Sequence, residues 1–169
     1  MTEVLLAVVI VVTLLNLVLL LGVVRRLREH ETRLASMTGG GPPVLITPAG
    51  GRVAPFTARS VDGRSVDQHS TDAALVGFFS PECGSCHERL PDFRAAAGDH
   101  AGPVLAVVVE DGGDTSPLVD ALRTCATVVL EAPTGPVAEA FAVRGFPAFA
   151  LVADGTIAAS GYELPLHTA

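Results

Sequence analysis

Twenty-one consecutive residues near the start of the chain, from Val4 to Val24, carry no charge, and only Thr13 and Asn16 among them are polar. At about 1.5 Å per residue in a helix, such a stretch spans about 31 Å, which matches the hydrocarbon thickness of a bilayer. The stretch therefore predicts one N-terminal transmembrane helix and excludes a purely soluble chain.

The residues around this stretch favour an uncleaved anchor over a signal peptide. A cleaved signal has a basic start, an apolar run of about 7–15 residues and a small-residue cleavage site. Here the chain starts Met1-Thr2-Glu3, the apolar run is longer, and charged residues follow it. We expect residues 1–24 to form the membrane anchor, 25–43 a juxtamembrane helix and Gly/Pro linker, and 44–169 a separate domain.

The part of the chain that follows the linker is acidic. Residues 41–169 contain seven arginines and fifteen acidic residues, for a net charge of −8, and the whole chain carries −7. Nucleic-acid binding needs a basic face, so nucleic acid is not expected as a partner. The three cysteines are too few for a disulfide scaffold.

Hydrophobic patterning after the linker predicts alternating strands and helices. The runs predicted as strands are 74–80, 104–109 and 127–130, and those predicted as helices are 86–97, 116–125 and 137–143. Hairpin turns are indicated at Asp62-Gly63 and Asp154-Gly155. This order indicates an α/β sandwich around a mixed central sheet.

The motif Cys83-Gly84-Ser85-Cys86 lies where the strand predicted at 74–80 passes into a helix. A thiol at a helix N-terminus faces unpaired N–H groups and the positive end of the helix dipole, which stabilise its thiolate. Two intervening residues allow the second thiol to reach the first within one turn and resolve a mixed disulfide. The spacing therefore predicts that Cys83 attacks and Cys86 resolves.

A zinc site and a pair of inert thiols are the other interpretations of this motif. No second CxxC follows, and the histidines of the acidic part form no His-x₃₋₅-His pair. Cys125 has no partner in the sequence and is interpreted as a small buried hydrophobe, with a third redox thiol as the alternative. We expect no metal and no cofactor beyond a redox-active Cys83–Cys86 disulfide.

The residues that flank the motif resemble a known family. The segment VGFFSPECGSCHERLP, residues 76–91, is similar to the active-site segment of thioredoxin-fold proteins. Gly145-Phe146-Pro147-Ala148 resembles their cis-proline loop, and the segments 54–56 and 61–64 resemble the entry of membrane-tethered TlpA/ResA-type disulfide reductases. The resemblance covers about residues 50–160. Ser-Pro-x-Cys-x-x-Cys ahead of Leu-Pro leans toward the MauD-type thioredoxins of methylamine dehydrogenase maturation.

This resemblance implies a thiol:disulfide oxidoreductase that acts on client proteins and is recycled by a thiol electron donor. It implies that Pro147 is cis and that the backbone of Phe146 is presented to a substrate strand beside Cys83. Glu82 stands where the family usually has an aromatic residue, either as a substrate contact or as a solvated rim residue. The Gly-Ser dipeptide lacks the histidine of strongly oxidising relatives, which favours a reductase or isomerase.

Gly77, six residues before Cys83, is a second departure from the family pattern. Many thioredoxins carry a buried acid at this position, and that acid accepts the proton of the resolving thiol. Without it, Glu82, Glu88 or water would have to accept the proton. The carboxylate of Glu82 would also oppose the effect of the helix dipole on the neighbouring thiolate.

Two alternative functions remain open. Ser80-x-x-Cys83 resembles the motif of peroxiredoxin-like thiol peroxidases, although the proline expected four residues before Ser80 is Val76. A non-enzymatic copper chaperone or docking module on the same fold is the other alternative, although such copper carriers usually have three residues between their cysteines.

Charge and resemblance disagree about the side of the membrane on which the domain lies. Four arginines between residues 25 and 33 follow the span, and the positive-inside rule would place them in the cytoplasm. The resemblance implies the extracytoplasmic side, where disulfides persist, and we expect that side.

The end of the chain predicts that the final helix of the resembled family is absent or reduced to a turn. Nine residues follow the strand of the last hairpin, and Pro165 lies among them. We expect one face of the sheet to be left partly bare as a contact surface. The residues expected at that bare face are Val107, Val109 and Val152. The alternative is that residues 162–166 fold back as a partial cover.

Overall fold

The computed structural model describes Leu6 and residues 44–166. The chain divides into two compact units, Met1–Pro43 and Val44–Ala169. The predicted anchor, juxtamembrane helix and linker lie outside the described residues, apart from Leu6. No helix within the described part of the chain has the length and apolarity needed to cross a bilayer.

Residues 44–166 contain seven strands and three helices. The strands are β1 (Thr57–Arg59), β2 (Ser65–Asp67), β3 (Leu75–Phe79), β4 (Val104–Val109), β5 (Thr127–Glu131), β6 (Ala148–Ala153) and β7 (Thr156–Gly161). The helices are α1 (Gly84–Asp99), α2 (Ser116–Leu122) and α3 (Pro136–Ala140). Every predicted strand, helix and hairpin is present, and the predicted ends differ from these by a few residues.

Five strands form the central sheet in the order β5-β4-β3-β6-β7, and β1 and β2 form a separate hairpin. β3 is parallel to β4, and β4 to β5, whereas β6 is antiparallel to both β3 and β7. The predicted mixed sheet is therefore confirmed. Because β3, β4 and β5 are parallel, their carboxyl-terminal ends meet at one edge of the sheet. The cysteine motif follows β3 at that edge.

The central sheet is covered on both faces, and all five residues of β3 are buried. One face packs against apolar residues of the segment before β1 and of α3. The other face packs against α1 and α2. There Phe79 lies with its ring centroid 5.1 Å from that of Phe93 and 5.9 Å from that of Phe149. The sequence of a strand that is covered on both faces is a continuous apolar run, as it is in β3 and β4.

The prediction of a bare sheet face was wrong. The three valines expected there, Val107, Val109 and Val152, are 0%, 0% and 3% exposed. Val107 and Val152 belong to the apolar cluster that includes the segment before β1 and α3. The prediction failed because it considered only a C-terminal helix as the cover, whereas residues from before β1 and from α3 supply it.

Residues 162–166 follow β7 as a series of bends and contain no helix, as predicted. Leu164 and Leu166 pack against the cluster on the α1 side of the sheet. Arg89 Nη2 on α1 lies 2.5 Å from Glu163 Oε1, an ion pair that joins this segment to the helix. These residues therefore fold back as a partial cover, but on the α1 side of the sheet and not on the face of Val107 and Val152, where the alternative expectation placed them.

Candidate active site

The loop between β3 and α1 sets the position of the two cysteines. β3 ends at Phe79, and three residues lead from there to Cys83, the N-cap residue of α1. The N–H of Cys83 donates to the carbonyl oxygen of Ser80 over 3.3 Å, which closes this short turn. The turn therefore holds Cys83 at the N-terminal end of a 16-residue helix.

The sulfur of Cys83 caps this helix. Cys83 has an extended backbone, with φ −92° and ψ 106°, and its Sγ accepts the N–H of Cys86 over 3.2 Å. A cap atom pairs with one of the N–H groups that the first turn leaves open, and the helix dipole favours negative charge there. The Cys83 sulfur is therefore held at the N-terminus of α1 as its capping acceptor.

Cys86 lies one turn into α1 and differs from Cys83 in exposure. Cys83 is partly exposed, whereas Cys86 is 0% exposed, and both carry free thiols. Burial raises the pKa of the Cys86 thiol far above its ordinary range, and the neighbouring Cys83 and the negative charge of Asp111 raise it further. A buried, protonated thiol behind an exposed sulfur is suited to react with a group already attached to that sulfur.

A second loop reaches Cys83 from a distant part of the chain. The Phe146–Pro147 peptide bond is cis, as the resemblance implied. Pro147 is buried and leads into β6, where Ala148 pairs with Phe78 of β3. This register brings the carbonyl oxygen of Phe146 to 3.4 Å from Cys83 Sγ, where it accepts the thiol hydrogen bond. The exposed sulfur therefore lies between a helix N-terminus and the cis-proline loop.

Glu82 precedes the motif and has an exposed side chain. Its carboxylate lies against Gly113, in the loop after β4, where a Cβ placed on that glycine would lie 2.3 Å from Glu82 Oε1. The structure therefore places Glu82 at the rim of the site, on the side of the loop that follows β4. His87 is exposed on α1, and its Nδ1 lies 3.1 Å from the carbonyl oxygen of Cys83.

The position that carries a buried acid in many thioredoxins is filled here by an aromatic ring. A Cβ placed on Gly77 in β3 would lie 2.6 Å from Cε2 of Phe93 and 2.9 Å from Cε2 of Phe79. Phe93 is 0% exposed and belongs to the aromatic cluster between α1 and the sheet. The packing of this cluster therefore leaves no room for a side chain at position 77.

Asp111 is a residue of the site that the sequence analysis missed. It follows β4, and its carboxylate accepts a hydrogen bond from the hydroxyl of Ser80. Ser80 is 2% exposed and follows β3 directly. Since β3 and β4 are parallel neighbours, the residues after them lie side by side. This strand pairing is the signal that points to Asp111, because polar residues directly after the strand beside β3 are expected near the cysteine motif.

Cys125 is not brought to the cysteine motif. It precedes β5, at the edge of the sheet opposite to the one where Cys83 follows the parallel strand β3. Its Sγ lies 3.5 Å from the carbonyl oxygen of Leu122, and it is partly exposed, not buried as predicted. Within residues 44–166, no group of three or more His, Cys, Asp or Glu is placed to hold a metal ion.

Comparison with known proteins places this geometry in a fold class. The chain is similar to the thioredoxin domain of a thiol-disulfide oxidoreductase from Bacteroides vulgatus, with 20% identity, a TM-score of 0.54, and coverage of 69% of this chain and 90% of that one. It is similar to a thio-disulfide isomerase from Thermus thermophilus, with 18% identity, a TM-score of 0.55, and coverage of 69% and 87%.

A third similar structure is a secreted disulfide oxidoreductase from Mycobacterium tuberculosis, with 21% identity, a TM-score of 0.51, and coverage of 68% of this chain and 87% of that one. No protein-family model matches the chain, and no curated protein matches it. The chain therefore has a thioredoxin-like α/β fold with a mixed central sheet. The solved structures named here are thiol:disulfide oxidoreductases and an isomerase of that fold.

Proposed function

We propose that the protein is a thiol:disulfide oxidoreductase that exchanges disulfides with client proteins through Cys83 and Cys86. The observation that carries this proposal is the position of the Cys83 sulfur, which caps α1 and lies 3.4 Å from the carbonyl oxygen of Phe146. A partly exposed sulfur at a helix N-terminus is suited to attack a disulfide. The backbone before Pro147 is suited to pair with an extended client segment, with Glu82 at the rim.

In the reducing direction, the thiolate of Cys83 attacks one sulfur of a client disulfide, and the other client sulfur leaves as a thiolate. The thiol of Cys86 then loses its proton, and its sulfur attacks Cys83 Sγ in the mixed disulfide. The Cys83–Cys86 disulfide forms, and the second client sulfur leaves as a thiolate. Two electrons have passed to the client, and a thiol electron donor must return two electrons to the pair.

The surroundings of the pair support a reductase or isomerase over a strong oxidant. Strong thiol oxidants have a stabilised reduced form. Here the carboxylate of Asp111, held beside the pair by the Ser80 hydroxyl, supplies negative charge, which opposes stabilisation of a thiolate in the reduced pair. Gly84 and Ser85 place no cation between the two cysteines. These features favour transfer of electrons from the pair to a client.

Membrane tethering is part of the same proposal. The uncharged stretch from Val4 to Val24 would bind the lipid bilayer, with the thioredoxin-like domain on the extracytoplasmic side. A similar solved structure is that of a secreted disulfide oxidoreductase, which supports this side. We also propose that the protein is of the TlpA/ResA type, as segments 54–56 and 61–64 indicate, and of the MauD type, as Ser-Pro-x-Cys-x-x-Cys ahead of Leu-Pro indicates.

Insulin reduction by the full-length protein with dithiothreitol as electron donor tests the activity. We expect turnover by the wild type and by Cys125→Ser, and loss of turnover in Cys83→Ser. Parallel samples with hydrogen peroxide and with Cu(I) test the two alternatives. Peroxide consumption without insulin reduction would favour a thiol peroxidase, and Cu(I) binding without either activity would favour a copper carrier.

A further inference from the structure

The exchange proposed above requires a group that accepts the proton of Cys86, and this inference rests on that proposed function. Cys86 is 0% exposed, so bulk water does not reach its thiol. The family position for a buried acid is Gly77, and the ring of Phe93 occupies the space beside it. An acceptor must therefore come from another part of the site.

Ser80 connects the cysteine turn to a carboxylate on the neighbouring strand. Its carbonyl oxygen accepts the N–H of Cys83 over 3.3 Å, and its hydroxyl donates to Asp111. Its backbone also acts on Cys86, where it lowers the pKa of the thiol. Ser80, which is 2% exposed, therefore holds the carboxylate of Asp111 beside the cysteine turn.

The carboxylate of Asp111 lies beside the cysteine turn, because β3 and β4 are parallel neighbours and the hydroxyl of Ser80, three residues before Cys83, donates to it. Its charge also contributes to the raised pKa of the Cys86 thiol. Asp111 is itself exposed at the carboxyl-terminal edge of the sheet, so a proton that it accepts can pass on to solvent. An exposed carboxylate held beside the turn that carries a buried thiol is suited to general-base work.

We propose that Asp111 accepts the proton of Cys86 in the resolving step, and that Ser80 is a positioning residue that holds the carboxylate in place. In this step the S–H bond of Cys86 breaks and its proton passes to Asp111. The Cys86 sulfur forms a bond with Cys83 Sγ, the bond between Cys83 and the client sulfur breaks, and the client sulfur leaves as a thiolate. Asp111 then releases the proton to solvent.

Other charged groups near the site are the competitors for this role. Glu82 lies at the rim with its carboxylate against Gly113, in the same loop as Asp111. His87 is directed at the carbonyl oxygen of Cys83, with Nδ1 3.1 Å away. Glu110 is exposed and immediately precedes Asp111, so it supplies a matched control of equal charge. Of these residues, Asp111 is the one whose carboxylate Ser80 holds beside the cysteine turn, and its charge contributes to the raised pKa of Cys86.

A single-turnover reaction of the reduced full-length protein with an aromatic disulfide that releases a coloured thiolate separates the two steps. The first coloured equivalent reports attack by Cys83, and the second reports attack by Cys86 on the mixed disulfide. All variants carry Cys125→Ser so that two thiols react. The aromatic thiolate leaves readily, which makes the second phase sensitive to how Cys86 loses its proton.

We expect Asp111→Asn to slow the second phase about tenfold or more near neutral pH, since general-base assistance contributes about 10²- to 10⁴-fold. The first phase should be unchanged. Asparagine keeps an oxygen that can accept the Ser80 hydroxyl, so the variant removes the basicity with little change of shape. At alkaline pH, where hydroxide removes the proton, the difference in the second phase should close.

A second readout separates this role from a structural one. With Cys83→Ser as background, the pH dependence of Cys86 alkylation reports the pKa of Cys86, and Asp111→Asn should lower it by removing a nearby negative charge. A lower pKa alone would speed the resolving step, because more thiolate is present. A slower step together with a lower pKa is therefore specific to loss of the proton acceptor.

Three comparisons complete the test. Glu110→Gln should keep both phases, and Ser80→Ala should slow the second phase less than Asp111→Asn does. An unchanged or faster second phase in Asp111→Asn would overturn the inference, as would a larger loss in Glu82→Gln than in Asp111→Asn. A wild type that releases no second equivalent would contradict the proposed disulfide exchange itself, which distinguishes the two failures.

Discussion

Cys83 Sγ lies 3.4 Å from the carbonyl oxygen of Phe146, a residue 63 positions further along the chain. The two residues belong to loops at the ends of adjacent antiparallel strands, β3 and β6. The contact therefore depends on the register of the sheet, which places the cis-Pro147 loop beside the helix N-terminus. One strand pair therefore positions both the Cys83 sulfur, to which we assign the attack, and the backbone before Pro147, to which we assign client binding.

Reactivity should differ between the two cysteines of the motif. We expect iodoacetamide to label Cys83 before Cys86 in the reduced Cys125→Ser protein, because Cys83 is partly exposed whereas Cys86 is buried and has a raised pKa. Peptide mapping by mass spectrometry after short labelling times measures the order. Faster labelling of Cys86 would reverse the assigned roles.

Packing at Gly77 should forbid any side chain. Gly77→Ala places a Cβ 2.6 Å from the ring of Phe93, and we expect the free energy of unfolding to fall by about 1–3 kcal/mol. The matched control is Gly98→Ala in α1, where a Cβ meets nothing within 4 Å. That variant should stabilise the protein by up to about 1 kcal/mol. Urea unfolding of both variants measures the difference, and equal stability would contradict the packing argument.

The stability of the domain should depend on the ionisation of Glu131. This residue ends β5, and its carboxylate accepts the N–H groups of Val137 and Ala138 in α3 over 3.1 and 2.8 Å. Burial is the main cause that raises its pKa above the ordinary value of 4.5. The folded protein therefore binds more protons than the unfolded chain between the ordinary and the raised pKa, so this group lowers stability as pH rises through that window.

Glu131→Gln should remove this pH dependence because glutamine does not titrate. We expect the difference in unfolding free energy between wild type and variant to change across the window above pH 4.5, in the direction that disfavours the wild type at higher pH. Urea unfolding at a series of pH values measures it. Parallel curves for the two proteins would show that Glu131 titrates normally.

Some residues of the site could be predicted from the sequence, and others could not. The strands and helices of residues 57–161 follow from apolar runs and turn residues, and the cis state of Pro147 followed from its resemblance to a known loop. Asp111 was missed because its role depends on which strand lies beside β3, and a single sequence does not state strand order. The prediction of a bare sheet face near Val107 was wrong for a similar reason: the residues that cover this face are distant from it in the chain.

The side of the membrane on which the domain lies is the prediction on which the charges at residues 25–33 and the family resemblance disagree. We expect the domain on the extracytoplasmic side, so a membrane-impermeant maleimide should label Cys83 in intact cells after treatment with an impermeant reductant. The Cys125→Ser variant removes the second accessible thiol. Permeabilised cells give the maximum labelling as the control. Labelling that requires permeabilisation would place the domain in the cytoplasm, as the positive-inside rule predicts from the four arginines between residues 25 and 33.

Covalent trapping shows directly whether Cys83 attacks a client disulfide and whether Cys86 then releases the client from the mixed disulfide. The full-length Cys86→Ser, Cys125→Ser protein is mixed with insulin, and the products are separated without reductant and mapped by mass spectrometry. We expect this variant to carry an insulin chain on Cys83 that dithiothreitol releases. The Cys125→Ser protein, which retains Cys86, should form no lasting adduct. The absence of any adduct, or an equally stable adduct with Cys86 present, would contradict these roles of the two cysteines.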